Sequence, residues 1–239
     1  MSAYIINLHI KAMKVKDKMK IFVIEPRGSG GMIHYIYQLC NAMAEIIEDV
    51  TLITSREYEL DDYPHKFSVV KFMNLWSRAD PLQIGLEKNI LEKFWRRLLR
   101  SLRRVFRGIR LVVEWIRLTR YLLKFRPDIV QFGSIEFPFE AIFLGYLKYK
   151  GLVLAQICHE FEPRELSDNF IVKLNNYLLS NVFRAFSIIY FHSENNRERF
   201  QNLYPDIKSS CFHIIPMGNG QIFPVTKDPA GLCCAGRRP

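Results

Sequence analysis

Seven short apolar runs recur along this chain, and segments with helical spacing lie between them. The runs span residues 20–25, 50–54, 67–72, 128–132, 152–157, 188–193 and 211–215. Most of them are solidly apolar and do not alternate, which is typical of strands that helices cover on both faces of a parallel sheet. This βα rhythm predicts an α/β fold built on an open, doubly wound, mostly parallel sheet.

The first strand leads into a glycine-rich turn at Gly28, Gly30 and Gly31, where the missing Cβ lets the backbone turn sharply and approach a ligand. An apolar stripe at helical spacing follows, made of Ile33, Ile36, Tyr37, Cys40, Met43, Ala44 and Ile47. A strand, a glycine turn and a helix can aim backbone N–H groups at a phosphate. The GxGG spacing matches neither GxGxxG nor a P-loop. Two interpretations stay open: a phosphate or sugar-phosphate site, and a turn that only closes a βα unit.

Composition indicates a globular protein, since 49% of the 239 residues are hydrophobic and 24% are charged. The five cysteines are scattered and form no CxxC pair, which favours a reducing compartment and argues against a zinc site or a disulfide framework. No stretch reaches the ~18 uninterrupted apolar residues that a membrane span needs. We therefore expect a cytoplasmic protein.

Both ends of the sequence differ in character from the region between them. Residues 1–19 place a short apolar run before several lysines, the reverse of a signal peptide, and we interpret them as an N-terminal extension. Residues 226–239 lack periodicity and contain paired cysteines and small residues, which indicates a disordered or aberrant tail. Residues 20–225 are predicted to form one domain.

The net charge of +10 is concentrated in one segment. Thirteen basic residues lie between Lys88 and Arg126, against only Glu92 and Glu114. The pattern there is helical, and one face carries Leu91, Phe94, Trp95, Leu98, Leu102, Val105, Phe106 and Ile109. The other positions carry Lys93, Arg96, Arg97, Arg100, Arg103, Arg104, Arg107 and Arg110.

An aromatic, apolar face opposite an arginine-rich face is typical of a helix that lies in a membrane interface. Near an anionic leaflet each cation contributes about 1 kcal/mol, so eight of them can hold a peripheral protein there. The alternative is an ordinary amphipathic helix packed on the sheet with a solvated basic face. Nucleic acid is disfavoured, because the aromatic residues belong to the apolar stripe and not to an exposed basic groove.

Polar residues follow two later strands. His159 and Glu160 come after the run at 152–157, where ligands of open α/β sheets bind. A histidine that merely satisfies loop carbonyls is the alternative interpretation of His159. Ser193 is a candidate N-cap of a helix that begins with Glu194. No cluster of residues at metal-ligand spacing is found in the sequence.

Taken together, these motifs resemble the N-terminal domain of family 4 glycosyltransferases of the GT-B fold, over about residues 20–225. The motifs are EPRGSGGMIHYIYQL, VTLIT at 50–54, RPDIVQFGS at 126–134, the CHE after a buried strand, HSENNRERF, and FHIIPMGNGQIF at 212–223. The resemblance implies a Rossmann-like domain that forms one half of a GT-B enzyme.

The resemblance also implies roles for individual residues. The glycine loop, Gly28 to Gly31, would lie against the diphosphate of a nucleoside-diphosphate sugar. His159 would lie near the transferred sugar, with Glu160 where the family usually has an aspartate. Pro216 and Gly218 would belong to the hinge that leads to a second domain.

The function implied is retaining sugar transfer to a lipid-linked or polysaccharide acceptor at the cytosolic membrane surface. Arg96, Arg97, Arg100, Arg103, Arg104 and Arg107 would contact the membrane or the acceptor. No cofactor and no metal are expected. The sequence ends soon after the predicted hinge, so we expect little activity without a donor-binding half, which either a partner chain supplies or a truncated gene has lost. The alternative is a non-catalytic module that binds membrane or a partner transferase.

Overall fold

The computed structural model describes residues 19–73, 90–135, 137–159, 161, 170–208 and 211–215. In the helices that begin at Ile90 and Phe170, side chains are described from residues 105 and 177 onward. The predicted extension (apart from Met19) and the predicted tail therefore lie outside the described residues, and the domain boundaries stay predictions.

Strands and helices alternate along the described chain. In order they are β1 (Lys20–Glu25), α1 (Gly31–Ala44), β2 (Asp49–Ser55), β3 (Ser68–Met73), α2 (Ile90–Phe125), β4 (Ile129–Phe132), α3 (Glu140–Tyr149), β5 (Val153–Ile157), α4 (Phe170–Ala185), β6 (Ile188–Phe191), α5 (Glu194–Leu203) and β7 (Phe212–Ile214). Each of the seven predicted strands is confirmed to within two residues at either end.

All seven strands join one sheet in the order β3-β2-β1-β4-β5-β6-β7, and every neighbouring pair is parallel. Strands β2 and β3 are added on one side of β1. The chain then crosses back through α2, and β4 to β7 are added on the other side of β1. The strand order therefore reverses between β1 and β4, and open α/β sheets bind ligands beyond the carboxyl ends of the strands at such a point. The predicted α/β, doubly wound parallel sheet is confirmed.

Side chains of β1 point alternately into two cores, one on each face of the sheet. Ile21 and Val23 pack with α1 in one cluster. Phe22 and Ile24 pack in the other cluster, which also takes side chains from α2, α3, α4 and α5. Strands buried on both faces explain why the apolar runs in the sequence are continuous.

Helix α2 has 36 residues and is about 54 Å long. Trp115, Leu118 and Leu122 anchor its C-terminal part in the core. The indole Nε1–H of Trp115 donates to Oε1 of the buried Glu140 at the start of α3, over 3.1 Å. Because this polar pair satisfies two buried groups, it fixes how α2 packs against α3.

Candidate functional site

The carboxyl ends of the strands around the switch point carry a set of polar side chains. Glu25 is the last residue of β1, and Ser134 lies two residues after β4. His159 follows β5 by two residues, and His192 directly follows β6. Because all these strands are parallel, their ends meet at one edge of the sheet, next to the glycine loop that begins α1.

The three glycines of the loop differ in what an added side chain would meet. Gly28 is buried, and a Cβ added there would lie 2.0 Å from the backbone oxygen of Glu57. Gly30 has φ 93° and ψ 178°, a conformation that is essentially restricted to glycine. Gly31 is exposed, and a Cβ added there would meet no atom of the described residues within 4 Å. Open space for a ligand therefore lies beside Gly30 and Gly31, whereas Gly28 packs against the loop after β2.

A carboxylate of the chain already lies at the N-terminus of α1. The Gly30 N–H donates to Oε1 of Glu59 over 2.9 Å, and Nε2 of His34 lies 2.7 Å from the same oxygen. Negative charge is favoured at a helix N-terminus, where the first N–H groups have no intrahelical partner. The N–H of Gly31 has no acceptor among the residues that the structure describes. The loop thus binds one anionic group and leaves a neighbouring donor open.

The carboxylate of Glu25 connects the start of the glycine loop to the chain after β4. Its side chain is fully buried. The hydroxyl of Ser134 donates to both carboxylate oxygens at 3.1 Å, and the N–H of Arg27 donates to Oε1 at 3.1 Å. A Cβ on Gly133 would lie 2.5 Å from Oε2, so the strand after the switch point passes close to the carboxylate. Hydrogen bonds to both sides of the crevice make Glu25 a brace between β1 and β4.

His159 and His192 form a pair. Nε2 of His192 lies 3.1 Å from Nδ1 of His159 and 3.4 Å from its Nε2. Nδ1 of His192 lies 3.1 Å from the carbonyl oxygen of Ile215. Burial, and to a smaller extent His192, lowers the pKa of His159 from 6.5 to about 4, so this ring is neutral at neutral pH.

Tyr35 joins this pair to the glycine loop. It lies in the first turns of α1, and its ring meets both imidazole rings edge-on with centroid distances of 5.5 Å. Burial raises the pKa of Tyr35 to about 12, so the phenol stays neutral. The open end of α1 and His159, which the sequence predicts separately, therefore belong to one continuous surface.

Three of the other predicted site residues, Glu160, Pro216 and Gly218, lie outside the described residues. Five of the six predicted arginines, Arg96, Arg97, Arg100, Arg103 and Arg104, belong to α2, but their side chains lie outside the described part. Arg107 is exposed on α2. The roles of all these residues stay predictions.

Sequence reasoning missed four members of this surface: Glu25, Tyr35, Glu59 and His192. A signal existed for His192, because it follows β6 as closely as His159 follows β5. The motif HSENNRERF contains His192, but a role was predicted there only for Ser193, as the N-cap of a helix that begins with Glu194. That role is confirmed, since the Oγ of Ser193 accepts the Asn196 N–H at 3.2 Å. No motif in the sequence around Glu59 indicates its role, because Glu59 contacts Gly30 only once the loop between β2 and β3 has folded.

Within the described residues, no three His, Cys, Asp or Glu side chains are grouped so that they could hold a metal ion. Among the described helices, none combines the length and the apolar character needed to cross a bilayer.

No model of a known protein family matches the chain, and no curated protein sequence matches it. Solved structures similar to it include UGT73P12 of Glycyrrhiza uralensis complexed with glycyrrhetinic acid 3-O-monoglucuronide, at 12% identity and a TM-score of 0.48, covering 90% of this chain and 51% of that one. UDP-N-acetylglucosamine 2-epimerase from Rickettsia bellii is similar at 11% identity and a TM-score of 0.46, covering 84% and 45%. The lipopolysaccharide outer core galactosyltransferase WaaB is similar at 12% identity and a TM-score of 0.44, covering 83% and 45%.

The chain spans about half the length of these structures. Their TM-scores lie below 0.5, so the matches carry no argument about activity, and the α/β fold rests on the strand order itself.

Proposed function

We propose that this chain is the acceptor-side half of a family 4-like glycosyltransferase of the GT-B fold, and that it binds a nucleoside-diphosphate sugar at the switch point. One observation carries the proposal: Tyr35 brings the open N-terminus of α1 and the His159–His192 pair into one surface. A helix N-terminus with an open N–H beside a neutral imidazole is suited to a ligand with an anionic part and a hydroxylated part.

In this proposal the N-terminus of α1, through Gly31, stabilises the charge of the leaving diphosphate. His159 contacts a hydroxyl group of the transferred sugar. The acceptor oxygen forms the new bond to the anomeric carbon, the bond from that carbon to the diphosphate breaks, and the proton of the acceptor hydroxyl leaves with the diphosphate. The configuration at the anomeric carbon is retained. The other wall of the cleft belongs to a second domain or to a partner chain, which contributes to orienting the donor.

Binding of nucleoside-diphosphate sugars to the chain tests the proposal. We expect saturable binding of at least one of a panel of uridine, guanosine and adenosine diphosphate sugars by isothermal titration calorimetry. Gly31→Trp should abolish this binding, because the indole fills the open space beside the loop. Gly145→Trp is the matched control, since Gly145 lies in α3 and is equally free of neighbours within 4 Å. Binding that survives Gly31→Trp contradicts the proposal.

We further propose that the protein works as a peripheral protein on the cytosolic face of a membrane, where it meets a lipid-linked or glycan acceptor. An exposed apolar stripe on α2 supports this, formed by Val105, Phe106, Ile109, Val112, Val113 and Ile116. Phe106 is 68% exposed. The stripe lies on the side of the helix opposite Trp115, Leu118 and Leu122, and no part of the domain that the structure describes covers it. The adjoining segment supplies the arginines that an anionic leaflet attracts.

Sedimentation with anionic vesicles tests this second proposal. We expect the chain to sediment with them at moderate salt, and we expect replacement of Arg96, Arg97, Arg100, Arg103 and Arg104 by Gln to abolish sedimentation. Ile109→Ser should weaken it, whereas Ile142→Ser, at an isoleucine exposed on α3, should not. Unchanged sedimentation of the arginine variant overturns membrane contact. Vesicle binding without any binding of a nucleotide sugar favours the non-catalytic module.

A further inference from the structure

A cavity of about 250 Å³ lies between the C-terminal ends of α4 and α5. It is lined by Ser180 and Arg184 of α4 and by residues 203–207, at and after the end of α5. Both parts of the lining come shortly before a strand, β6 or β7, so the cavity lies at the amino ends of these strands. The candidate site lies at the carboxyl ends. The cavity is therefore separate from the crevice.

The rim of the cavity combines hydrogen-bond donors with acceptors. Nη2 of Arg184 donates to Oδ2 of Asp206 over 3.1 Å, and Nη1 donates to Oδ1 of Asn181 over 3.1 Å. A guanidinium has five N–H donors and a carboxylate accepts at both oxygens, so each group of the ion pair can bind a further partner. The hydroxyl of Ser180 can both donate and accept. The rim therefore suits a ligand that carries several hydroxyl groups.

Apolar side chains form the inner wall of the cavity. The ring of Tyr204 packs against Phe183 and Phe200 with centroid distances of 5.0 and 4.9 Å, and its hydroxyl donates to the carbonyl oxygen of residue 161 over 3.0 Å. These contacts hold the ring in one position. Ile207 is buried next to it in the lining. A fixed apolar wall of this kind can take the C–H face of a sugar ring.

An exposed tyrosine extends the cavity along α4. Tyr177 is 61% exposed, and it lies three residues before Ser180 and seven before Arg184, so these residues share one side of the helix. Seven residues of helix rise about 10 Å. The tyrosine and the cavity together form a groove about as long as a disaccharide. This α4–α5 groove consists of Tyr177, Ser180, Arg184, Tyr204 and Asp206.

We propose that the α4–α5 groove binds a neutral oligosaccharide, with one sugar ring in the cavity and a second on Tyr177. The charges of Arg184 and Asp206 compensate each other, and the C-termini of two helices carry partial negative charge there, so an anionic ligand is disfavoured. Ring hydroxyl groups bond to the ion pair and to Ser180. The C–H faces of the sugar rings cover the aromatic rings of Tyr177 and Tyr204.

This inference goes beyond the proposed function, because it requires neither a nucleotide nor a second domain. Where the proposed function also holds, the two sites together restrict the acceptor. Strand β6, which separates the two edges of the sheet, has four residues and is about 13 Å long. An acceptor that is held in the groove and reaches the crevice has to be longer than this strand. It is then a glycan of several sugar units and not a single sugar.

Saturation-transfer-difference nuclear magnetic resonance of the full chain, without nucleotide, tests the groove. The probes are four neutral trisaccharides: maltotriose, cellotriose, mannotriose and triacetylchitotriose. We expect saturation transfer to at least one of them, strongest at the ring C–H protons that cover the aromatic rings. If none of the four receives saturation, the proposal is overturned.

Two variants test where the trisaccharide binds. Tyr177→Ala should weaken its binding about tenfold, since the change removes an exposed aromatic surface and leaves the core intact. Ser180→Trp should abolish binding, because the indole fills the cavity. Tyr149→Ala, at a tyrosine that is 81% exposed on α3, is the matched control and should bind as wild type does. Unchanged binding by both Tyr177→Ala and Ser180→Trp overturns the groove.

Gly31→Trp separates the groove from the crevice and should leave trisaccharide binding unchanged. Loss of this binding in Gly31→Trp, with Tyr177→Ala unaffected, would mean that the sugar binds in the crevice, and the proposal would be overturned. Trisaccharide binding without any binding of a nucleotide sugar supports the groove and contradicts the transferase. Binding of a nucleotide sugar without any trisaccharide binding supports the transferase and overturns the groove.

Discussion

The glycine loop and the histidine pair face the same crevice but are held in place by different means. Contacts of its own backbone fix the loop: Gly28 lies against Glu57, Gly30 adopts a conformation reserved for glycine, and the N–H of Arg27 donates to the carboxylate of Glu25. Side-chain rings and one carbonyl hold the histidine pair. We therefore expect added volume to disturb the loop most, and protonation of His159 to disturb the histidine pair most.

The strongest test of this contrast is Gly28→Ala. The added Cβ would lie 2.0 Å from a backbone oxygen, which cannot move away as the end of a side chain could. We expect the free energy of unfolding to fall by about 3 kcal/mol in urea titrations. Gly31→Ala is the control and should change stability by less than about 0.5 kcal/mol, because nothing lies near its added Cβ. Equal stability of the two variants would contradict the packing role of Gly28.

Gly30→Ala tests conformation without crowding. Within the part of the chain that the structure describes, no atom lies within 4 Å of the added Cβ, so the cost is the strain of a side chain at φ 93°. We expect a loss of about 2 kcal/mol in the free energy of unfolding. Ser29→Ala, next to it in the exposed loop, should be close to neutral. A neutral effect of Gly30→Ala would mean that the loop adopts another conformation at low cost.

The histidine pair should make stability depend on pH. The pKa of His159 is lowered in the folded state, so the unfolded state binds the proton first as the pH falls. This contribution is complete above pH 6.5 and is lost as the pH falls towards about 4. Between pH 7.5 and 5 we expect wild type to lose about 1 kcal/mol more than His159→Phe, allowing for solvent screening of a partly buried ring.

His65, whose pKa burial also lowers, contributes to both proteins and therefore cancels in this difference. Urea unfolding at the two pH values measures the effect. Identical slopes of stability against pH in wild type and in His159→Phe would show that the site does not disfavour protonation of His159. The glycine variants Gly28→Ala and Gly30→Ala should keep the slope of the wild type.

The smallest expected effect on stability is that of Glu59→Gln. The amide oxygen can still accept from the Gly30 N–H, so stability should change by less than about 0.5 kcal/mol. If a diphosphate binds beside the loop, removing the negative charge of Glu59 should raise its affinity about two- to fivefold. Glu57→Gln, two residues earlier and also exposed, is the control for a change in net charge. Calorimetric titration of both variants with the same nucleotide sugar makes the comparison.

The fold could be predicted from the sequence because its signals are local. Continuous apolar runs marked each strand, and helical spacing marked α1 and α2. The loop and His159 were found for the same reason, since a glycine cluster and a polar residue after a strand are visible in a few adjacent letters.

The partners in the site could not be found in this way. Glu59 meets Gly30 from a separation of 29 residues, and His192 meets His159 from 33. Parallel strand pairing and helix crossovers create these contacts, so no pattern among neighbouring residues in the sequence predicts them. At Gly28 the sequence predicted a glycine turn but not the reason for it. A glycine needed for ligand binding and one needed for packing have the same letter in the sequence. Only the structure shows that Gly28 packs against the backbone of Glu57.

The position of β1 at the centre of the sheet has a consequence for how the chain is made. One edge of β1 pairs with β2, which follows soon after it, but the other edge pairs with β4, and Lys20 bonds to Asp128 across 108 residues. A ribosome adds about 5–20 residues per second, so this edge waits about 5–20 s for its neighbour. During that time a strand of the future core is open to pairing with other chains. The growing protein is thus most exposed to aggregation before β4 has left the ribosome.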